Sequence, residues 1–377
     1  LSLVGSEMCI RDRKYSGATA EVALFPGGRA EAHAMIHASG ARPFAAQLES
    51  VVNAASALAN DLGALQPVFK RYFLSDAANQ ASCLPSCEPC AVSVIQQPPL
   101  DGSKIALWVV YQADSTFVDT GDGRWEDSRG RMIVGDALPC SGNSHDLTVE
   151  HLSRLADCLE QRGASLLDNC VRTWFMVRDV DINYAGVVRG RNEEFDRRGL
   201  TRDTHFITST GIEGRPVRQD ETVAFNAVCD TRLAPGQMGF VYGASHLNPT
   251  IEYGVAFERG TTVDYRDRRH VYISGTASID NRGQVVHPGD IVAQTRRMIE
   301  NIGVLLAEAG CGWDDLAHLI VYLRDPSDFQ AVAAVYDEVL PAVPRVIVLA
   351  PVCRPGWLVE TECMAIKSGD YPGYAPF

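Results

Sequence analysis

Two glutamates separated by one residue stand in the run LVETE, where Glu360 and Glu362 flank Thr361. β-Branched and apolar neighbours give this run the character of a strand. Alternate side chains of a strand share a face, so Glu360 and Glu362 point one way and Thr361 the other. A carboxyl held in a desolvated cleft resists ionisation and can act as a general acid near neutral pH. The plainer alternative is a pair of solvent-facing glutamates on an edge strand. Seven residues upstream stands Cys353, next to Arg354, and the intervening Pro355 and Gly356 make a turn that can lay the two segments side by side. Cys353 is then either a participant in the same chemistry or a buried structural thiol.

Other reactive residue types are less productive. Cys83, Cys87 and Cys90 have the CxxxCxxC spacing of an iron–sulfur site. They run straight into the strand-like CAVSVIQQPP and lack glycine-rich supporting segments, so a Pro-rich loop with incidental cysteines is expected. His246 and His287 precede turns and have no HxH or HExxH partners, and no metal site is expected from them. The string GATAEVALFPGGRA has no Lys-Ser/Thr after its glycines and cannot be a nucleotide loop.

The chain has 377 residues, with 46% hydrophobic and 21% charged residues, a globular mix long enough for two or three compact units. No apolar run approaches the ~20 residues that span a bilayer. A formal net charge of -13 disfavours nucleic-acid binding, and an anionic ligand would need specific arginines to offset the field. Residues 1–13 fit nothing downstream and have no signal-peptide pattern, so they are expected to lie outside the fold as a leader. Eleven cysteines without an export signal point to a reducing cytoplasm and to thiols rather than disulfides.

The elements that position these residues recur three times. LANDLGALQPVFKRYFLSD ends at Asp76, LEQRGASLLDNCVRTWFMVRD at Asp179 and LAEAGCGWDDLAHLIVYLRD at Asp325. Gly63, Gly163 and Gly310 stand where a helix C-terminus needs a left-handed residue. Each preceding helix carries one apolar stripe: Leu48, Val51, Val52, Ala55, Ala59 and Leu62; then Leu152, Leu155, Ala156 and Leu159; then Ile291, Met298, Ile302, Leu305 and Ala309. Each unit is expected to run strand, strand, helix, strand, helix, strand, strand, an α+β layer with helices on one face of a mixed sheet. The expected units are 14–112, 113–235 and 236–377.

In the third unit, HVYISGTASI, HPGDIVAQTRRMIENIGVLLAEAGCGWDDLAHLIVYLRDPSDF and PRVIVLAPVCRPGWLVETECMAI resemble the RidA/YjgF family. Together with GLTRDTHFITSTGIEG and ASHLNPTIEYGVAFERGT, the ordered set resembles the chorismatase family from about residue 90 onward. That resemblance implies a single-chain pseudo-trimer of RidA-like units, the first of them degenerate, with a ligand cleft between units. It also implies a monomeric cytoplasmic enzyme of secondary metabolism that takes chorismate as its small-molecule partner and needs no cofactor or metal. The products would be pyruvate and 3-hydroxybenzoate, with 4-hydroxybenzoate as a further product.

On the same resemblance Glu360 is the general acid, and Cys353 assists the rearrangement and loss of water that aromatise the ring. Arg345 aligns with the carboxylate-binding arginine of RidA, and Tyr253 and Ser274 with its pocket residues, while Gly254 and Ala256 leave room for a ring. A neighbouring unit would supply the rest of the cleft from Arg172, Arg189, Arg191, Tyr242 and Arg259, with Arg172 and Tyr242 ranked first because they lie in or beside strand-like runs. Guanidinium groups suit a dianion because each pairs with a carboxylate through two hydrogen bonds. Two other functions stay open: a RidA-type enamine or imine deaminase using Arg345 and Glu360, and a non-catalytic small-ligand binder on the same scaffold.

Overall fold

The computed structural model describes residues 9–136 and 141–377. The first unit comprises β1 (Cys9–Tyr15), β2 (Ala18–Phe25), β3 (Glu31–Ala38), α1 (Phe44–Asp61), β4 (Gln66–Leu74), the single turn α2 (Ala77–Gln80), β5 (Ala91–Gln96) and β6 (Ile105–Gln112). The second comprises β7 (Phe117–Gly121), β8 (Arg124–Asp127), β9 (Arg131–Val134), α3 (Ser144–Glu160), α4 (Leu166–Asn169), β10 (Cys170–Val177), α5 (Val180–Arg197), β11 (Thr208–Glu213), β12 (Arg215–Pro216) and β13 (Val223–Asp230). The third comprises β14 (Met238–Val241), β15 (Gly260–Tyr265), β16 (Arg268–Ala277), α6 (Ile291–Glu308), β17 (Leu316–Leu323), α7 (Phe329–Val339), β18 (Arg345–Leu349) and β19 (Val359–Ser368).

One topology is repeated. The sheets run β1-β2-β3-β6-β4-β5, β7-β8-β9-β13-β10-β11 and β14-β15-β16-β19-β17-β18, so each unit's last strand is inserted centrally. The repeated phrase forms β4, β10 and β17, and each pairs in parallel with the strand that follows the next helix. A parallel partner requires a crossover, which explains the helical stretch after each terminal Asp. Gly63, Gly163 and Gly310 all have left-handed φ, at 83°, 70° and 74°. The helix stripes are buried at Leu48 and Val51, at Leu152 and Leu155, and at Met298 and Ile302. The α+β class and one unit repeated three times are the observed architecture.

Two expectations are corrected. Each unit has three strands before its first long helix rather than two. The additional strands CIRDRKY, FVDTG and MGFV are short edge strands without a clear apolar alternation, so no period-2 signal marks them. Cys9 to Arg13, expected outside the fold, pair antiparallel with residues 20–24 of β2, while residues 1–8 lie outside the described residues.

The sheets turn one face inward and join a common apolar cluster that includes Phe69 and Trp108, Ile133 and Trp174, and Leu319 and Val321. Polar stitches close the seams. Between the first and second units β12 pairs with β5, and Asp136 accepts the Val94 N–H at 2.6 Å. Between the second and third, Ser274 Oγ accepts the Ser209 N–H at 2.9 Å and donates to the Glu258 carbonyl at 2.6 Å. Between the third and first, Glu21 accepts the Arg345 N–H, and His37 Nε2 lies 3.0 Å from the Arg345 carbonyl oxygen.

Candidate active site

Glu360 opens β19, opposite Tyr322 of β17 and Ala277 at the end of β16. β16 is irregular between Ile273 and Thr276, as at many functional sites, and this displaces Ser274 and Gly275 from the regular ladder. The Glu360 carboxyl fills the space above Gly275, where an added Cβ would stand 2.0 Å from Oε1. Glu360 is 4% exposed. Burial first, and the neighbouring Glu362 carboxyl second, push its pKa up to about 8. Burial and the Glu362 charge both disfavour the anion, so the carboxyl carries its proton at neutral pH.

Glu362, on the same face of β19, meets different partners. Its Oε2 accepts from Arg172 Nη2 at 2.8 Å and its Oε1 from Trp174 Nε1 at 2.7 Å. The two glutamates are thus separated in role by surroundings: one is bonded to a guanidinium and an indole, while no described residue hydrogen-bonds the other.

Glu360 faces a cleft between the second and third units, with about 460 Å³ between its walls, mouth included. The second unit contributes Tyr184 and Arg191, seven residues apart on one face of α5, and Thr210 and Gly211 of β11. Gly211 is needed for packing, because a Cβ there would lie 2.7 Å from the Tyr184 ring. The third unit contributes Tyr253, Phe257 and Arg259 from one loop and Cys353, Arg354 and Trp357 from another. Three guanidinium groups therefore converge on one buried acid. Arg191 is 1% exposed, and its Nε and Nη2 have no hydrogen-bond partner among the described residues. Arg259 donates to the Asn248 carbonyl at 2.9 Å, which fixes its fork beside the Tyr253 and Phe257 rings. Arg354 lies over Tyr253 and Trp357, at 5.1 and 5.4 Å. Buried donors left unspent by the protein are costly unless a ligand or water takes them up, so the cleft is built for an anion with an apolar body.

Cys353 lines the same cleft, beside Tyr184. Burial, reinforced by Glu360, pushes its thiol up to about 12, so it stands as a neutral S–H and not as a thiolate nucleophile.

Of the residues singled out in the sequence, Glu360, Cys353, Tyr253 and Arg259 come together here, with Arg191, which was ranked low. Several others do not. Arg345 pairs with Asp337 and donates to the Leu340 carbonyl at 3.0 Å, in the seam between the third and first units. The resemblance to RidA implied that Arg345 holds a ligand carboxylate, and here its side chain is taken up by Asp337 and Leu340 away from the Glu360 cleft. Tyr242 is half exposed beside the end of α6, where its N–H donates to Glu308. Arg189 is exposed on α5. Arg172 is buried behind the cleft, bonded to Glu362 and to Thr210 Oγ1 at 2.6 Å. Ser274 is spent on the seam, and Ala256 is buried behind the loop, its N–H on Asn192. Gly254, with φ 82°, turns that loop without lining the cleft. Sequence reasoning missed Tyr184, Thr210, Phe257 and Trp357. Only the i, i+7 spacing of Tyr184 with Arg191 offered a signal, and it identifies a helix face, not what that face meets.

The cysteine triad does not converge: Cys83 and Cys87 are exposed and Cys90 is buried. No group of residues suited to hold a metal occurs among the described residues. No described helix is long and apolar enough to cross a membrane.

The repeats allow the three inter-unit clefts to be compared position by position. Glu360 pairs with the residue three before the terminal Asp of its phrase, and the corresponding pairs in the first and second units are Phe73 with Ala106 and Met176 with Ala224. Only the third unit has an acid at this register.

Residues 261–367 match the Ribonuc_L-PSP family, endoribonuclease L-PSP. The chain is 36% identical over 97 residues to the 3-aminoacrylate deaminase RutC of Acinetobacter baylyi, covering 25% of this chain and 77% of that protein. It is 35% identical over 99 residues to a RutC family protein of Pyrococcus abyssi, covering 26% and 78%. Among solved structures, a chorismatase crystal structure superposes with a TM-score of 0.64 at 16% identity, covering 79% of this chain and 92% of that one. This last likeness is one of fold.

Proposed function

Because this chain belongs to the RutC family through its C-terminal unit, and arranges three such units in a chorismatase-like fold, we propose that it is a chorismatase releasing pyruvate and 3-hydroxybenzoate. The observation that carries this reading is the single buried acid at Glu360, facing a cleft in which Arg191, Arg259 and Arg354 converge. Chorismate is a dianion with an enol ether. Guanidinium groups hold its two carboxylates, the aromatic walls of Tyr253, Phe257 and Trp357 enclose the ring, and Glu360 lies at the side-chain methylene.

Proton transfer from Glu360 to that methylene carbon converts the enol ether into an oxocarbenium ion. Water adds to this cation and the adduct collapses to pyruvate. The remaining dihydroxy-diene acid loses one water to become the hydroxybenzoate, so the water taken up and the water lost cancel. Neighbouring arginines counter the anion left on Glu360. The neutral Cys353 thiol supports the aromatising step at the ring without forming a thiolate. The 3-isomer is the expected main product, with the 4-isomer as a minor one.

Pyruvate release on adding chorismate, followed by chromatography of the aromatic product, tests the proposal; absence of pyruvate would remove it. The pH profile should follow the acid. Glu360 is active when protonated, so kcat should be level on the acid side and decline as pH rises through about 8. A profile rising through this range would assign the group the opposite role. Gly275→Ala should keep the fold, since Gly275 is not among the left-handed glycines, but displace the Glu360 carboxyl and lower kcat by about tenfold or more.

A deaminase of the RidA kind would require Arg345 and Glu360 in one cleft, and the two lie in different seams. Ammonia release from 2-aminoacrylate would favour that reading. Saturable aromatic-acid binding without turnover would favour a binding protein.

A further inference from the structure

The inward faces of the three sheets enclose a second cavity, separate from the Glu360 cleft and larger than it, with about 850 Å³ between its walls, mouth included. Its lining is mostly apolar and aromatic, with Phe69, Phe117, Ile133 and Trp174 among the contributors. The polar groups on its wall are unevenly satisfied. Glu362 is bonded to Arg172 and Trp174. Glu31 lies 3.2 Å from His33 and 3.1 Å from His270. Asp230 Oδ2 accepts from the Tyr265 hydroxyl at 3.2 Å. Each carboxylate of the wall thus faces a cation or a donor, although Glu31 Oε2, 3.1 Å from His270 Nε2, makes no well-aligned hydrogen bond among the described residues.

Two donors are left over. Among the described residues, Arg172 Nη1 and Trp108 Nε1 are buried without a hydrogen-bond partner, on residues 2% and 3% exposed that line this cavity from different units. In a homotrimer every wall position would recur three times. Here the position of Trp108 is Asn226 in the second unit and Glu362 in the third, so the interior is asymmetric and can recognise an asymmetric molecule. A molecule that satisfies this wall brings acceptors to a guanidinium and an indole N–H and an apolar body to the aromatic residues. A cation is disfavoured, because Glu31 already faces His33, His270 and Arg268, while the Trp108 and Arg172 donors are left over.

We propose that this interior is a second binding site, for a single-ring aromatic carboxylate, with the carboxylate on Arg172 and Trp108. The site is independent of the reaction assigned to the Glu360 cleft.

The test is calorimetric titration of the full chain with benzoate in the Arg191→Ala background, which removes an anion-holding group from the catalytic cleft and leaves the interior intact. One equivalent of saturable binding is expected. Adding Trp108→Phe should weaken it about tenfold, the worth of one buried hydrogen bond to a charged acceptor. Val110→Trp, which fills the cavity from β6, should abolish it. Circular dichroism checks that each variant is folded, and Trp108→Phe decides the matter where Val110→Trp is not. No saturable binding in the Arg191→Ala protein, or binding indifferent to both Trp108→Phe and Val110→Trp, would overturn the proposal.

Discussion

Replacing Glu360 by glutamine is expected to reduce pyruvate release from chorismate by about 10²–10⁴-fold, the usual worth of a positioned general acid, with little change in KM. Glutamine keeps the shape and cannot deliver the proton. The same variant should be more stable than the parent at alkaline pH. A carboxyl whose pKa rises on folding contributes stability that is complete below its unfolded value and is lost as pH rises through the folded value, here about 8. At pH 9 Glu360→Gln should therefore melt higher than the wild type, and near pH 4 the two should melt alike. A variant that loses activity and also loses stability at pH 9 would make Glu360 a structural residue, and one that keeps full activity would remove it as the acid.

Arg172→Met is expected to have the largest effect on stability. The Arg172 guanidinium is buried against Glu362 and Thr210, and Arg172 and Glu362 join strands of two units. Removing one partner leaves an uncompensated buried charge and costs about 3–5 kcal/mol. For a chain of this size that is a fall of roughly 4–6 °C in melting temperature. Removing both charges together, as Arg172→Met with Glu362→Leu, should recover much of the loss, because an apolar pair leaves no charge unpaired. Thermal melts of the single and double variants measure the coupling. If the double variant is no more stable than Arg172→Met alone, the pair does not hold the seam.

This pair also shows what covalent linkage of the units permits. Three identical chains would place three arginines at the position of Arg172 and three glutamates at that of Glu362. Here the position of Arg172 is Phe69 in the first unit and His318 in the third, counted back from the terminal Asp of each phrase. One unit can then carry the acid while another supplies guanidinium groups.

Much was determined along the chain alone. The left-handed glycines at Gly63, Gly163 and Gly310, the apolar stripes and the thrice-repeated strand ending in Asp are local patterns, each set by backbone sterics or by a face meeting a core. The shared face of Glu360 and Glu362 follows from the pleat. What the chain alone did not determine was which seam each face entered. Arg345 on β18 and Glu360 on β19 belong to one sheet, with β17 between them, yet Arg345 meets the first unit and Glu360 the second. Tyr184 and Arg191 became cleft residues only because α5 of the second unit lies against loops of the third. Burial, and with it the protonation of Glu360, belongs to the assembled interface: its causes are desolvation by groups far apart in the chain and one neighbouring carboxyl, and no local pattern encodes them.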